Sequence, residues 1–328
     1  MKKKIALITG GYSGEAVISY KSADAIQKNL DTAKWECFKI DINPAGWYFL
    51  AAGGEKIPVD KNDFSITING TKINFDAVLV GLHGTPGEDG KLQGYFDILG
   101  IPYTTCDTAT SALTFNKRYT VAVASFAGMH VAKSVHLFKH IPVLPAAVLQ
   151  DLKLPVFVKP NNGGSSIGMS KVKTAGELPA AIDKAFKEDD QVLVEEFIQG
   201  RELTIGVFQS KGEVIALPIT EIISKNEFFD FEAKYEGASD EITPAQVTDD
   251  IAEKIRAEAR KAYAIFNCNG LVRIDFIYDA ASGNPVLLEI NTVPGQSEAS
   301  IVPQQVRAMG WTLQQFYTEL LESCLYNR

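Results

Sequence analysis

The stretch Leu271-Val272-Arg273-Ile274-Asp275-Phe276-Ile277, with its return Val286-Leu287-Leu288-Glu289-Ile290-Asn291 after a turn over Asp279–Pro285, decides how this chain reads. Side chains alternate faces along a strand. Arg273 and Asp275 therefore share one face of the first strand, and Glu289 and Asn291 share one face of the second. Ile274, Phe276, Leu288 and Ile290 point the other way. If the polar faces coincide, two carboxylates and an amide oxygen meet beside a guanidinium. Like charges opposed across strands are destabilising. A hard divalent cation such as Mg²⁺ removes that cost, and so does a solvated face with a surface salt bridge. The pattern alone leaves both open.

Upstream, Lys4–Thr9 is a short apolar run that ends in Gly10-Gly11. Val17–Leu30 has helical spacing, and Trp35–Ile40 and Ala77–Gly81 read as further strands. Strand, glycine turn, helix, strand is the grammar of a parallel α/β sheet. Ligands bind at the carboxyl ends of such strands, where Gly10–Glu15 and Leu82-His83-Gly84 fall. The span His83–Gly94 holds four glycines, which suits a binding loop, although a lone histidine is commonly structural. Asp107–Ala127 reads as helix. The apolar strand Leu154–Pro160 ends at Lys159 and runs into Asn161–Gly168, where glycines, Ser165 and Ser166 could cradle phosphate or form a plain turn. Glu195–Glu202 could contact an adenine and a ribose, or be a charged turn. Thr174–Lys187 and Asp249–Phe266 read as helices. Glu221–Thr243 shows neither period, and a loop of that length inside a compact domain suggests a lid.

Composition narrows the function. The 328 residues carry 32 Lys+Arg against 40 Asp+Glu, a net charge of −8. That balance argues against nucleic acid as the main partner, while leaving room for a small phosphate ligand. No apolar run approaches the roughly 20 residues of a membrane helix. The lysines at the start precede a strand rather than a leader, so the expected location is the cytoplasm. Four dispersed cysteines suggest neither a disulfide framework nor a zinc site. Neither G-x-G-x-x-G nor the Walker lysine motif is present.

Taken together and in this order, these motifs resemble the D-alanine–D-alanine ligase family of the ATP-grasp superfamily. The resemblance runs from Gly10 to about Pro303. It rests on Gly10–Glu15 with Ser19, His83–Gly94, Asn116-Lys117, Val158–Pro160, Gly164–Gly168, Glu195–Glu202, Glu227–Tyr235, Arg273–Phe276 and Leu288–Gly295. It implies a parallel-sheet α/β domain over residues 1–105 and two α+β units, 106–194 and 195–328, forming an ATP-grasp clamp. Residues 221–243 would be the lid. By resemblance, Lys117, Lys159, Ser166 and Lys234 hold ATP phosphates, and Glu195, Phe197, Ile198 and Glu202 hold adenine and ribose. Asp275, Glu289 and Asn291 match the ligands of two Mg²⁺ ions, with Mn²⁺ possible. Glu15 matches the holder of the first D-alanine ammonium and joins Ser165 and Tyr235 in a triad, with His83 near the carboxylate. Arg273 and the Gly295 amide match the groups that stabilise the tetrahedral intermediate. Ser300 and Ile301 match the second D-alanine site.

The implied reaction is ATP-dependent formation of D-alanyl-D-alanine through a D-alanyl phosphate, for peptidoglycan synthesis, by a homodimer. The Lys234-Tyr235 pair favours D-alanine over D-lactate as second substrate. Gln296, Ala299 and Gly163 depart from the common methionine, histidine and glutamate. The alternatives are a D-alanine–D-lactate or other ATP-grasp carboxylate–amine ligase, and a non-catalytic ATP-binding regulator.

Overall fold

The computed structural model describes residues 2–164, 166–224 and 239–326. Its first sheet joins β1 (Lys3–Gly10), β2 (Trp35–Asn43), β3 (Gly46–Leu50), β4 (Lys56–Asp60), β5 (Ser65–Ile68), β6 (Thr71–Ile73) and β7 (Ala77–Val80). The order is β6-β5-β4-β3-β2-β1-β7. β1 pairs in parallel with β2 and β7. Ile5, Ala6, Leu7 and Ile8 are wholly buried, as a central parallel strand requires. Each isoleucine or leucine so buried contributes about 1.5–3 kcal/mol. Helix α1 (Ala16–Asn29) lies close on β1 because it buries small residues, Ser19, Ser22, Ala23 and Ala25.

The sheet is mixed rather than purely parallel. β3 to β6 extend it as an antiparallel meander. Its clearest signal is Asn69-Gly70 between β5 and β6, with φ of 50° and 76°. A two-residue type I′ hairpin needs positive φ at both positions, which Asn-Gly supplies. Beneath the meander Phe38, Phe64, Phe75 and Phe96 form an aromatic core. The opposite face packs Ile5, Leu7 and Leu79 against α1 and against Phe316, Tyr317 and Leu320 of the last helix.

The predicted helix Asp107–Ala127 is two. α2 (Lys91–Leu99) and Asp107 precede α3 (Thr108–Phe115), and α4 (Lys117–Phe126) follows. Asn116 is extended between them, and its side chain accepts from Tyr119 N at 3.2 Å. Asparagine satisfies the free amides of a new helix better than it continues an old one. The break puts Lys117 at a helix start.

The second sheet has the order β10-β9-β11-β8, from β8 (Ser134–Phe138), β9 (Val156–Pro160), β10 (Ser170–Val172) and β11 (Gln191–Glu196). Strict alternation along β9 buries Val156 and Val158 against α5 (Pro145–Asp151) and α6 (Leu178–Ala185). Phe157 and Lys159 are left on the other face. The predicted helix Thr174–Lys187 begins with a 3₁₀ turn, Ala175–Glu177.

The third sheet runs β15-β14-β12-β16-β17, with β13 on β12. These are β12 (Arg201–Ser210), β13 (Glu213–Ala216), β14 (Thr220–Ser224), β15 (Ser239–Ile242), β16 (Val272–Asp279) and β17 (Asn284–Asn291). The expected lid 221–243 thus begins and ends in two strands that pair with each other. Its residues 225–238 lie outside the described residues. α7 (Asp249–Ile265) packs on β12 and β16 through Ile255, Ala259 and Ala262, and α3 and α4 join this core through Leu113, Val123 and Ala124. Residues 108–126 therefore pack with the third sheet rather than with the second. α8 (Ile301–Ala308) is pinned by buried Gln305, which accepts from Gly206 N at 2.9 Å and donates to Thr204 O at 3.0 Å. α9 (Leu313–Tyr326) closes the chain against the first sheet.

The junction of the first and third sheets is tight at Gly270. Its φ is +62°, and a Cβ there would lie 2.0 Å from Thr104 O. At Gly212, with φ +82°, a Cβ meets nothing within 4 Å. Gly212→Ala is expected to cost about 1–2 kcal/mol, for the left-handed backbone alone. Gly270→Ala is expected to cost clearly more in urea unfolding, because backbone must also move. Equal losses would show that the junction yields freely.

Candidate active site

The register fixes how the two strands of the hairpin face each other. Arg273 stands opposite Asn291, and Asp275 opposite Glu289. The polar faces coincide. A bulge then shifts the pairing after Asp275, so Phe276 meets Leu287 and Leu288 is the extra residue. Arg273 donates to Asp275 with Nε at 2.9 Å and Nη2 at 2.7 Å, and its Nη2 lies 3.7 Å from Glu289. Thr204, buried on β12, donates to the same Asp275 oxygen that accepts from Arg273 Nε. One guanidinium and one hydroxyl thus offset two opposed carboxylates.

Two cavities flank this hairpin, and Glu289 lines both. One, of about 290 Å³, is lined by Glu15, His83, Lys117, Arg273, Asn291 and Gly295, with Ser300 and Ile301 at the start of α8. The other, of about 430 Å³, is lined by Lys159, Ser166, Glu195, Phe197, Ile198, Glu202 and Asp275. Every sequence-derived candidate among the described residues lines one or the other. Ser165, Lys234 and Tyr235 lie outside the described residues. A wider depression of about 590 Å³ beside Ile141 and Phe186 carries none of the candidates.

In the smaller cavity, the Glu15 carboxylate sits between two glycines. A Cβ on Gly84 would lie 2.5 Å from one Glu15 oxygen, and a Cβ on Gly164 would lie 2.8 Å from the other. Both loops come this close only because they lack side chains there. Lys117 reaches Gly163 O at 2.6 Å, so the same loop is tied to α4. Asn161 completes that tie by accepting from Lys117 N and Arg118 N.

His83 lines the smaller cavity, and its ring is held from both sides. Its Nδ1 lies 2.7 Å from Val293 O and its Nε2 2.8 Å from Ser22 Oγ. A carbonyl only accepts, so Nδ1 carries a proton, and in the neutral ring Nε2 accepts from Ser22. Ser22 Oγ in turn accepts from Gln296 N at 3.1 Å. His83 therefore laces α1, the end of β7 and the loop after β17 together. Behind it Glu88 is buried, with Oε1 3.7 Å from His83 Nδ1. Burial pushes the Glu88 carboxyl above the usual glutamate range, and the charge of Glu15 adds to this, while His83 opposes it.

In the larger cavity, Lys159 is ion-paired with Glu195, both side chains being largely buried. The two residues expected to touch different parts of one nucleotide hold each other here. Lys171 lies 3.9 Å from the Phe197 ring centroid. Arg201 makes two bonds to Glu221, at 2.7 and 2.6 Å. Sequence reasoning missed Thr204, Lys171, Arg201, Glu221 and Glu88. It also missed Glu241 on β15, which lines the smaller cavity. Only the pairing of β12 with β16 identifies Thr204, as the residue opposite Asp275.

Among the described residues, no group of three or more His, Cys, Asp or Glu side chains is clustered to hold a metal. The oxygen set Asp275, Glu289 and Asn291 nevertheless suits a hard cation: its two carboxylates oppose each other and need positive charge. Asn291 Oδ1 accepts from Val293 N at 3.0 Å, which fixes the amide with its oxygen in use but not saturated.

Comparison with known proteins points to one family. Residues 4–106 match the family profile described as D-ala D-ala ligase N-terminus, and residues 115–322 match D-ala D-ala ligase C-terminus. The chain is 46% identical to a D-alanine–D-alanine ligase of Parabacteroides distasonis, over 100% of this chain and 99% of the relative. Among solved structures, the VanG D-Ala:D-Ser ligase from Enterococcus faecalis superposes with a TM-score of 0.87 at 33% identity, covering 99% of this chain and 100% of that one. A D-alanine–D-alanine ligase from Bacillus anthracis complexed with ATP gives a TM-score of 0.79 at 26% identity, covering 98% and 97%.

The Glu88 environment has a pH consequence. A carboxyl whose affinity for protons is raised by folding stabilises the fold only while protonated. Its contribution is present below the ordinary glutamate value and is lost as pH rises through the raised one. Denaturant unfolding from acid to neutral pH is expected to show Glu88→Gln gaining on the parent across that window. Parallel curves would remove Glu88 as a titrating group.

Proposed function

The chain belongs to the D-alanine–D-alanine ligase family, and on that premise we propose that it joins two D-alanine molecules into D-alanyl-D-alanine at the expense of ATP. The observation that carries this reading is the hairpin wall shared by the two cavities, with Asp275 opposite Glu289 and Arg273 opposite Asn291. A donor of phosphate on one side and its acceptor on the other would meet at that wall. ATP is assigned to the larger cavity, with its adenine beside Phe197 and Ile198 and its phosphates toward Lys159 and Ser166. The amino acids are assigned to the smaller one.

In this reading a carboxylate oxygen of the first D-alanine attacks the γ-phosphorus, and ADP leaves. The amine of the second D-alanine then attacks the acyl carbon of the D-alanyl phosphate, and phosphate leaves. Transfer of this kind depends on positioning and charge neutralisation. Glu15 holds the first ammonium. Lys117 reaches the phosphates from the helix start. Arg273 and the Gly295 amide face the oxygen that gains charge at the acyl carbon. Arg273 gives its Nε and one Nη2 donor to Asp275, and a positive charge brought to Asp275 would loosen that hold. Asp275, Glu289 and Asn291 would hold Mg²⁺, two ions being expected and Mn²⁺ a substitute, and the metal would neutralise the transferring phosphoryl group. Ser300 and Ile301, at the start of α8, receive the second D-alanine.

The reading also divides the chain into residues 1–105, 106–194 and 195–328, with one sheet in each segment, while α3 and α4 of the middle segment pack on the third sheet. It includes a homodimer working in the cytoplasm and a product destined for peptidoglycan. No described helix is long and apolar enough to cross a membrane.

The test is phosphate release from ATP and Mg²⁺ with D-alanine alone, then with D-alanine plus D-serine or D-lactate, products being identified by mass. Turnover with D-alanine alone and a D-alanyl-D-alanine product is expected. A requirement for D-serine or D-lactate would move the assignment to a ligase of that acceptor. Asp275→Asn is expected to lower kcat by about 100-fold or more, a loss typical of removing one preorganised electrostatic group. A kcat within a few-fold of the parent would place the phosphoryl site elsewhere.

A further inference from the structure

We infer that Glu241 binds the ammonium group of the second amino acid and accepts its proton before the amine attacks. The inference rests on the reading above, since it needs two amino acids in the smaller cavity.

Three observations carry it. First, Glu241 lines that cavity together with Arg273, Ser300 and Ile301. Second, its carboxylate is aimed by a tether. Gln304 Nε2 donates to Glu241 Oε2 at 2.6 Å and to Ala299 O at 2.9 Å. One amide on α8 thus fixes a carboxylate of β15 against the residues just before the helix start. Third, the other carboxylates lining this cavity have different surroundings. Glu15 lies between the Gly84 and Gly164 loops, Glu88 lies behind His83, and Glu289 stands opposite Asp275.

The chemistry requires such a group. A free amino acid arrives at neutral pH as an ammonium ion, which has no lone pair to attack with. Arg273, Lys117 and Lys21 also line the cavity and repel a cation. A carboxylate beside the acceptor position both attracts the ammonium and takes its proton. The ammonium N–H bond breaks toward a Glu241 oxygen, and the freed lone pair forms the C–N bond to the acyl carbon. The C–O bond to phosphate breaks, and the second N–H proton leaves with the phosphate. Burial raises the proton affinity of Glu241 above that of an ordinary glutamate, with Gln304 and the charge of Arg273 opposing this. A stronger base is the better proton acceptor near neutral pH.

The test uses the full chain with ATP, Mg²⁺ and D-alanine, and compares the parent with Glu241→Gln and Glu241→Asp. Positional ¹⁸O exchange within ATP reads the first step, and dipeptide formation reads both. In Glu241→Gln the exchange is expected to persist while kcat/KM for the second D-alanine falls about 100-fold or more, as for loss of a general base. The KM for ATP should not change, Glu241→Asp should recover part of the loss, and the acid limb of the kcat/KM profile should flatten. Parent-like ligation and pH profile in Glu241→Gln would overturn the inference and leave the ligase reading intact. Loss of exchange together with ligation would make Glu241 structural and also overturn it. Absence of D-alanine ligation by the parent would instead sink the ligase reading, and the inference with it. Should Glu241→Gln lose its native circular dichroism, Gln304→Met carries the test. A raised KM for the second D-alanine with exchange intact is expected, and an unchanged KM overturns the inference.

Discussion

Two carboxylates that face each other across one pair of strands are the constraint on which this structure turns. Asp275 and Glu289 occupy directly opposed positions, where like charges weaken a sheet. Asp275 cannot relieve the repulsion by pointing to water, because it is buried. The protein places Arg273 on the same face, two residues from Asp275, and brings Thr204 from the next strand to the same carboxylate. The hydrophobic face of β16, with Ile274 and Phe276, is wholly buried against α7. That burial holds the charged face in place, because a register slip by one residue would exchange the two faces. The apolar side of the hairpin thus stabilises what its polar side destabilises.

The rest of the architecture delivers groups to that wall from elements that are far apart in sequence. The first sheet contributes Glu15 from a strand-end loop, and Gly84 and Gly164 let two other loops close around it. His83 is spent on holding this arrangement: its ring joins Ser22 to Val293. The loop carrying Gly295 is therefore fixed to α1 as well as to its own strand. Gln305 does the same for α8 from beneath, through buried bonds to β12. Groups that act on a reacting centre need neighbours that fix them, and here those neighbours are His83 and Gln305.

Much of this could be read from the residues, and the misses have physical causes. The hairpin faces follow from a period of two, except at Leu288, which was expected on the apolar face and which the bulge turns to line the larger cavity. The parallel core of the first sheet follows from continuous apolar runs ending in glycine. The meander β3–β6 was missed although Asn69-Gly70 marks its last turn, because its strands mix polar and apolar residues too irregularly to show alternation. The split at Asn116 was missed because both flanking helices keep the same period across the break. Thr204 and Glu241 carry no local signal. Each matters through a strand pairing, and pairing is a long-range fact. The glycine-rich surroundings of His83 mark a binding loop, but not that its two ring nitrogens meet a carbonyl and a serine hydroxyl.

The ion pairs of the site hold its charged side chains in place. Lys159 with Glu195, and Arg273 with Asp275, are mostly buried pairs. An unpartnered charge in such a place would cost several kcal/mol, so each cation needs an anion before any phosphate arrives. Pairing site residues with one another meets that need and keeps the side chains extended into the cleft. It also sets a condition on binding. A phosphate that takes Lys159 from Glu195 leaves a carboxylate that must find a donor, and an adenine amino group is such a donor. In the same way, a cation brought to Asp275 would compete with Arg273 for it. A ligand carrying both a phosphate chain and a hydrogen-bond donor at its far end satisfies both halves of the Lys159–Glu195 pair, while inorganic phosphate satisfies one.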